Sequence, residues 1–97
     1  MQEAKIKSYI GFAIKARKIL YGLDNITMSK KKPYLLLVDA SFSPNSQKKL
    51  ASYAQNNEIP IINYSLEAVI PDRNCKAVGI MEKNLASAVL KELKESL

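Results

Sequence analysis

Apolar residues recur at every third or fourth position through the first twenty residues, and basic residues occupy many of the positions between them. This spacing predicts an amphipathic helix over residues 2–20. Gly22 falls just beyond the end of that helix, where a left-handed residue commonly closes a helix. Either Asp24 or Asn25 can then cap a short second helix, which we expect to run to about Lys30.

Three short apolar runs follow, at 34–38, 59–62 and 77–81. Prolines, polar residues and charged residues bound these runs, and continuous runs of this length are typical of strands buried on both faces of a sheet. The sequence therefore predicts three buried strands in the last two thirds of the chain.

Helical patterns separate these strands. Ser43 followed by Pro44 is typical of a helix start, with an N-cap residue and then proline at the first helical position. This helix is predicted to end near Asn56, a short helical turn is predicted at 65–69, and a closing amphipathic helix is predicted from Asn84. Buried strands that alternate with helices predict a three-layer α/β/α sandwich with a small, mostly parallel or mixed sheet.

Length and composition fit one small folded domain. The chain has 97 residues, of which 47% are apolar and 25% are charged, so we expect a single domain over residues 1–97. No apolar run reaches the roughly 18–20 residues that cross a bilayer, and residues 1–7 lack the apolar core of a secretory signal. With a single cysteine and therefore no internal disulfide, the expected location is the cytoplasm.

Positive charge is concentrated near the N-terminus. Fifteen Lys and Arg residues against nine Asp and Glu residues give a net charge of +6. Residues 1–32 hold eight basic and two acidic residues, whereas residues 33–97 hold seven of each. This asymmetry indicates a surface that faces a polyanion. A basic composition that serves only solubility is the alternative that the charge count leaves open.

The chain offers little for catalysis. It has no histidine, which is the usual general base near neutral pH, and so Cys75 has no histidine to activate it. Asp39 follows the first apolar run, where open α/β sheets can carry a catalytic acid, but a turn residue that caps the loop toward Ser43 is the favoured interpretation. The acidic residues show no metal-ligand spacing, and the glycines are too far apart for a phosphate-binding loop. We therefore expect no enzymatic activity, no catalytic residue, no metal and no cofactor.

Residues 18–25 combine a glycine turn with the start of a new helix. Free N–H groups and a partial positive charge at a helix start suit a phosphate or an acceptor atom on a base. Asp24 and Asn25 offer polar groups for base edges, and the basic residues on either side attract phosphates. The same pattern is also an ordinary boundary between two helices, so this segment by itself leaves both interpretations open.

The stretch at 10–22 has the sequence IGFAIKARKILYG. It resembles the opening helix of the L-seven-Ae/L-thirty-e family of ribosomal proteins, in which a Gly-x-Ala-x-x-Ala-Gly-Lys pattern precedes an RNA-contacting glycine. The similarity covers nearly the whole chain and is nearest to the small bacterial members that resemble ribosomal proteins. Further matching segments follow in the family's order, at 35–41, 45–50, 59–61 and 77–86.

This resemblance implies a domain that binds kink-turn or kink-turn-like RNA without catalysis. In the family, the glycine and the residues after it contact tandem sheared G·A pairs, flanking lysines meet phosphates, and a loop before the last strand covers a flipped-out base. The implied partner is structured RNA, either ribosomal RNA or another kink-turn RNA, and the ribosome is a further candidate partner. We expect no membrane partner, and we expect a monomer. The implied RNA-binding residues are Lys15, Lys18, Gly22, Leu23, Asp24, Asn25, Lys30, Lys31, Lys32, Ile70 and Arg73. The basic members are expected to flank the glycine turn as one surface.

The chain departs from the family pattern at this turn. Better-studied kink-turn binders carry Gly-x-Asn-Glu and then a lysine three residues on, whereas this chain has Asp24 and Asn25 at those positions and then Met28. The carboxylate of Asp24 can still accept from guanine N–H groups, but it repels phosphates. A protein-interaction module on the same fold that has lost specific RNA binding is therefore the alternative, and an enzyme or a detached substrate-binding domain of an RNA-modifying enzyme is a more distant one.

Overall fold

The computed structural model describes residues 2–66 and 76–95. Along these residues the elements follow the predicted alternation, with one additional strand near the start. Residues 67–69 of the helical turn predicted at 65–69 lie outside the described residues. In chain order the elements are α1 (Gln2–Lys15), β1 (Ile19–Tyr21), α2 (Leu23–Thr27), β2 (Leu35–Val38), α3 (Pro44–Asn56), β3 (Ile61–Asn63), β4 (Ala77–Ile80) and α4 (Lys83–Glu95).

The strands of the described residues form one mixed sheet in the order β1-β4-β2-β3. The inner strand β4 runs antiparallel to both of its neighbours, so that Gly79 lies opposite Leu20 on one side and Leu36 on the other. The β2–β3 pair is parallel, with Leu37 opposite Ile62. The sheet is therefore mixed and not mostly parallel, because β4 returns against the direction of the other three strands and fills the space between β1 and β2.

Apolar side chains of the inner strands alternate between two cores, as the two-residue repeat of a strand requires. Leu35 and Leu37 of β2 are fully buried against α1 and α4 on one face of the sheet. Leu36 and Val38 point to the opposite face, where they pack with Ile26 of α2 and with α3. Helices cover both faces, and the domain is a three-layer α/β/α sandwich.

The first helix ends earlier than the sequence pattern predicts. It stops at Lys15, where Arg17 takes a left-handed conformation (φ 57°) and the N–H of Lys18 donates to the carbonyl of Ala13 over 2.8 Å. This bond satisfies a carbonyl that would otherwise be unpaired at the helix end. The next three residues, Ile19–Tyr21, form β1 and pair with β4. Apolar and aromatic residues of this kind favour strands when a partner strand is available, and β4 supplies that partner.

Gly22 closes no helix; it precedes one. It is the N-cap of α2, with φ 87° and ψ 158°, and its N–H donates to the carbonyl of Ala77 over 2.8 Å. This combination of angles is accessible essentially only to glycine. Asp24 and Asn25 lie inside α2 and give no side-chain cap, and the helix ends at Thr27, short of the predicted Lys30.

The start and end of α3 are confirmed. The hydroxyl of Ser43 accepts from the N–H of Ser46, and Pro44 is the first helical residue. The helix runs to Asn56 and Asn57 caps it. Local sequence therefore determines this helix, whereas the helix-to-strand change at Ile19–Tyr21 depends on pairing with a strand almost sixty residues away.

Candidate nucleic-acid interface

The directions of the strands divide the candidate residues between two ends of the sheet. Because β1, β2 and β3 run the same way, their first residues lie at one end and their last residues at the other. Residues that lead into these strands form one groove, which we call the basic groove. Residues that follow β1 and β2 form a second surface, which we call the Gly22 face.

The basic groove has a volume of about 940 Å³. Its polar lining includes five cationic side chains and one carboxylate, that of Glu58. None of these cations forms an ion pair with a carboxylate whose side chain lies in the ranges 4–66 and 76–94, where the ion pair found joins Lys5 and Glu92. The five cations are Arg17, Lys18, Lys30, Lys31 and Lys32.

Two helix ends and one strand shape this groove. Arg17 and Glu58 each lie two residues beyond the last helical residue, of α1 and α3 respectively, and both have positive φ values, 57° and 56°. The N–H of Met81, just after β4, donates to the carbonyl of Lys18 over 2.7 Å and fixes the entry to β1. Pro33 is buried against Gly79, so the chain that carries the lysine run is held directly against the sheet.

The wall and floor of the basic groove are partly apolar. Tyr34, directly after the buried Pro33, keeps 51% of its surface exposed while its N–H donates to the carbonyl of Ile80 over 2.9 Å. Ile19, Ile59 and Met81 line the same groove. An exposed aromatic ring beside cationic side chains is the combination that single-stranded nucleic acids use, because bases stack on the ring and phosphates meet the cations.

The Gly22 face lies at the opposite end of the sheet and has a volume of about 630 Å³. Asp24 and Asn25 are exposed in it, and the positive φ of Gly22 turns the chain from β1 into α2. A Cβ added at Gly22 would meet no atom within 4 Å, so the space over this residue is open. The lining comprises Tyr21, Gly22, Leu23, Asp24, Asn25, Phe42, Ser46 and Lys76.

Asn25 is anchored from within its own turn. Its side-chain N–H donates to the carbonyl of Tyr21 over 2.7 Å, which holds the amide in one orientation. The carbonyl oxygen of that amide accepts no hydrogen bond from the described part of the chain. An anchored amide with a free acceptor can bind the edge of a base with little loss of side-chain entropy.

Asp39 holds the loop beside the Gly22 face. Its carboxylate accepts from the N–H of Ser41 (2.9 Å), the hydroxyl of Ser41 (2.8 Å) and the N–H of Leu66 (3.1 Å). These hydrogen bonds, first those from Ser41, then that from Leu66, lower the pKa of Asp39, and the charge of Lys76 adds to the effect. The geometry favours the turn interpretation of Asp39, since both of its carboxylate oxygens accept hydrogen bonds from neighbouring loop residues.

The candidate residues from the sequence therefore form two groups and not one surface around a glycine turn. Lys18 and the run Lys30, Lys31 and Lys32 lie in the basic groove, whereas Gly22, Leu23, Asp24 and Asn25 lie on the Gly22 face. The three residues of β1 separate Lys18 from Gly22, and the four steps of extended chain between them span roughly 13 Å. Lys15 is exposed in the last turn of α1 and lines neither surface, and Ile70 and Arg73 lie outside the described residues.

Among the lining residues that the sequence-based set omits, four have cationic or aromatic side chains suited to nucleic-acid contact. Arg17 and Tyr34 line the basic groove, and Phe42 and Lys76 line the Gly22 face. A signal for Tyr34 was present, because an aromatic residue directly after a basic run is typical of nucleic-acid contact. Phe42 and Lys76 had no such signal, since only the pairing of β1, β4 and β2 brings their loops beside Gly22.

Within residues 2–66 and 76–95, no group of three His, Cys, Asp or Glu side chains is arranged to hold a metal ion. In the same ranges, no helix has the length and apolar character needed to cross a bilayer.

Comparison with known proteins supports the fold. No protein-family model matches the chain, and no curated protein matches it. Among solved structures, the chain is similar to one from Bacillus halodurans that is described as a protein with unknown function. The TM-score is 0.84 at 16% sequence identity, over 94% of this chain and 98% of the other. A likeness at this identity establishes a shared single-domain α/β fold and no more.

Proposed function

We propose that this protein binds structured RNA without catalysing a reaction, and that the Gly22 face contacts a kink-turn or kink-turn-like element. The observation that carries the proposal is the composition of the Gly22 face. There the open space over Gly22, the anchored amide of Asn25 and the aromatic ring of Phe42 lie together. The resemblance of residues 10–22 to the L-seven-Ae/L-thirty-e family assigns RNA contact to the same turn.

The groups on this face fit base edges better than phosphates. With no side chain at Gly22, the backbone can approach a base closely. Asn25 presents an amide oxygen that accepts no hydrogen bond from the described residues, and the exposed carboxylate of Asp24 can accept from the imino and amino groups of guanine. Lys76 supplies positive charge on the same Gly22 face and offsets the repulsion between Asp24 and the RNA backbone. The aromatic ring of Phe42, which is half-buried against the core, offers a surface for stacking.

The site of action that this proposal implies is the cytoplasm, with ribosomal RNA or another kink-turn RNA as the partner. The proposed binding unit is one copy of the chain, because Gly22, Asp24, Asn25, Phe42 and Lys76 lie together within a single copy. Association with the ribosome follows from the family resemblance and stays a proposal.

The test compares two RNAs of equal length at 150 mM salt by fluorescence anisotropy. One carries a kink-turn with tandem G·A pairs, and in the other Watson–Crick pairs replace that element. We expect tighter binding of the kink-turn RNA. The variant Asn25→Ala should weaken that binding by about 1–3 kcal/mol, or roughly 5- to 150-fold, and leave duplex binding unchanged.

Asn56→Ala is the matched control, because Asn56 is exposed at the end of α3 and lines neither surface. It should leave both affinities unchanged. Thermal unfolding of each variant separates loss of binding from loss of fold. Equal affinity of the wild-type chain for the two RNAs would contradict the proposal.

A second candidate is a protein-interaction module, and exposed apolar side chains are the observation that favours it. Met28 at the end of α2 is 81% exposed, and Phe12 on α1 is 57% exposed. Because α1 and α2 cover opposite faces of the sheet, each of these side chains would mark a separate docking surface. A defined protein that remains bound after nuclease digestion and is released by Met28→Lys, together with no preference for kink-turn RNA, would support this function over RNA binding.

A further inference from the structure

We propose that the basic groove is a second RNA-contacting surface, which holds phosphates of a backbone segment distinct from the one at the Gly22 face. This inference rests on the proposed function for one point, that the bound polyanion is RNA. The shape and the charges of the basic groove do not depend on that proposal. It assigns a binding role to the end of the sheet opposite the glycine turn.

The charge of the groove exceeds what its own carboxylate can balance. Five cations face one carboxylate, that of Glu58, which leaves a surplus of four positive charges. Salt bridges within the described ranges do not reduce this surplus, because none involves a groove residue. Like charges gathered in one concave surface repel one another, and a polyanion relieves that repulsion when it binds.

Helix ends account for only part of this charge. The C-termini of α1 and α3 reach the groove at Arg17 and Glu58, and each carries the equivalent of roughly half a negative charge. Cations near these ends stabilise the helices. Together the two ends offset about one positive charge, so about three remain for a ligand.

The shape of the groove favours a nucleic-acid strand over an anionic membrane. Its cations line a concave surface of about 940 Å³, which is more than one phosphate fills and which fits a strand better than a flat bilayer. The half-exposed ring of Tyr34 stands among these cations and gives a base a surface on which to stack. Phosphates along a strand can then meet the Lys30–Lys32 run.

The two surfaces must contact different parts of the RNA. They lie at opposite ends of the strands of a molecule that measures 32 × 27 × 26 Å. A base edge held at Asn25 is therefore well separated from a phosphate held at Lys31. Binding at the Gly22 face supplies selectivity, whereas binding at the basic groove supplies affinity that depends on salt and not on sequence.

The test removes three groove charges in the full chain, with Lys30→Gln, Lys31→Gln and Lys32→Gln combined. All three residues are exposed, and thermal unfolding checks that the fold is retained. The matched control removes three exposed lysines elsewhere, with Lys7→Gln, Lys91→Gln and Lys94→Gln combined, so that net charge falls equally. Affinity for the plain RNA duplex and for the kink-turn RNA is measured from 50 to 300 mM salt.

We measure the slope of log affinity against log salt concentration. The magnitude of this slope should fall by about 2 to 3 units for the groove variant and by less than one unit for the control. This loss should be the same for both RNAs and should add to the effect of Asn25→Ala on kink-turn RNA, because the two surfaces are far apart. If the groove variant loses no more salt dependence than the control, the inference is wrong. Binding to vesicles with anionic phospholipid that depends on these lysines, with RNA affinity unaffected, would also overturn it.

These outcomes separate the two proposals. If the wild-type chain does not distinguish kink-turn RNA from duplex but the groove variant loses salt-dependent binding to both, the second surface is supported and the kink-turn proposal fails. If kink-turn preference is present and Asn25→Ala removes it, while the groove variant behaves as the control, the second surface fails and the kink-turn proposal stands.

Discussion

A methyl group added at Gly79 tests whether Pro33, a lining residue of the basic groove, is packed against strand β4 without room to move. Gly79 lies in the inner strand β4, between Leu20 of β1 and Leu36 of β2. A Cβ at this position would lie 3.0 Å from Cβ of Pro33, 3.2 Å from its Cγ and 3.3 Å from Cδ2 of Leu36. The proline ring is rigid and Leu36 is fully buried, so neither contact is relieved by turning a flexible side chain.

The expected change in the free energy of unfolding for Gly79→Ala is the sum of two opposing effects. Replacing a glycine within a strand lowers the entropy of the unfolded chain and stabilises the protein by roughly 0.5–1 kcal/mol. Forcing an extra methyl group into a packed core costs typically 1–3 kcal/mol. Gly79→Ala should therefore destabilise the protein by about 1 kcal/mol, which for a domain of this size lowers Tm by roughly 4–8 °C.

Gly11→Ala provides the matched control. Gly11 lies within α1, and a Cβ there would meet no atom within 4 Å, so only the entropy and helix-propensity gain applies. This variant should raise the free energy of unfolding by roughly 0.5–1 kcal/mol. Urea denaturation at fixed pH measures both variants. If Gly79→Ala is as stabilising as Gly11→Ala, the argument that Pro33 is packed against β4 without room to move is refuted.

Two further predictions concern the loops of the Gly22 face. Asp39→Asn should destabilise the protein by about 1 kcal/mol at pH 7, because the bonds to Ser41 and Leu66 lose their charged acceptor. The folded-state pKa of Asp39 is lowered, so the stability difference between wild type and Asp39→Asn should be complete above about pH 4 and shrink as pH falls through that lowered pKa. Urea denaturation measures this difference, and a value that stays constant down to about pH 2.5 would contradict the prediction. Gly22→Ala should cost about 1–3 kcal/mol through its backbone angles alone, since the space for a Cβ is open, and an unchanged midpoint of urea unfolding would show that the turn relaxes.

The sequence pattern was sufficient for the elements that local chemistry controls. Ser43 and Pro44 specify the start of α3, and the uninterrupted apolar runs specify the inner strands β2 and β4. Each of these signals acts over a few residues, so it can be recognised without knowledge of the fold. The layered arrangement follows from them, because strands buried on both faces need helices on both sides.

The arrangement of the candidate site could not be recognised in the same way, because it depends on the conformation of Ile19–Tyr21. As a continuation of α1, these residues would place Lys18 about 6 Å along the helix axis from Gly22. As the strand β1, they separate the two residues by roughly 13 Å and place them at opposite ends of the sheet. Only pairing with β4 decides between these conformations. A three-residue strand thus converts what would be one basic surface around a glycine turn into two surfaces, and this separation is what makes the effects of Asn25→Ala and of the groove lysines independent.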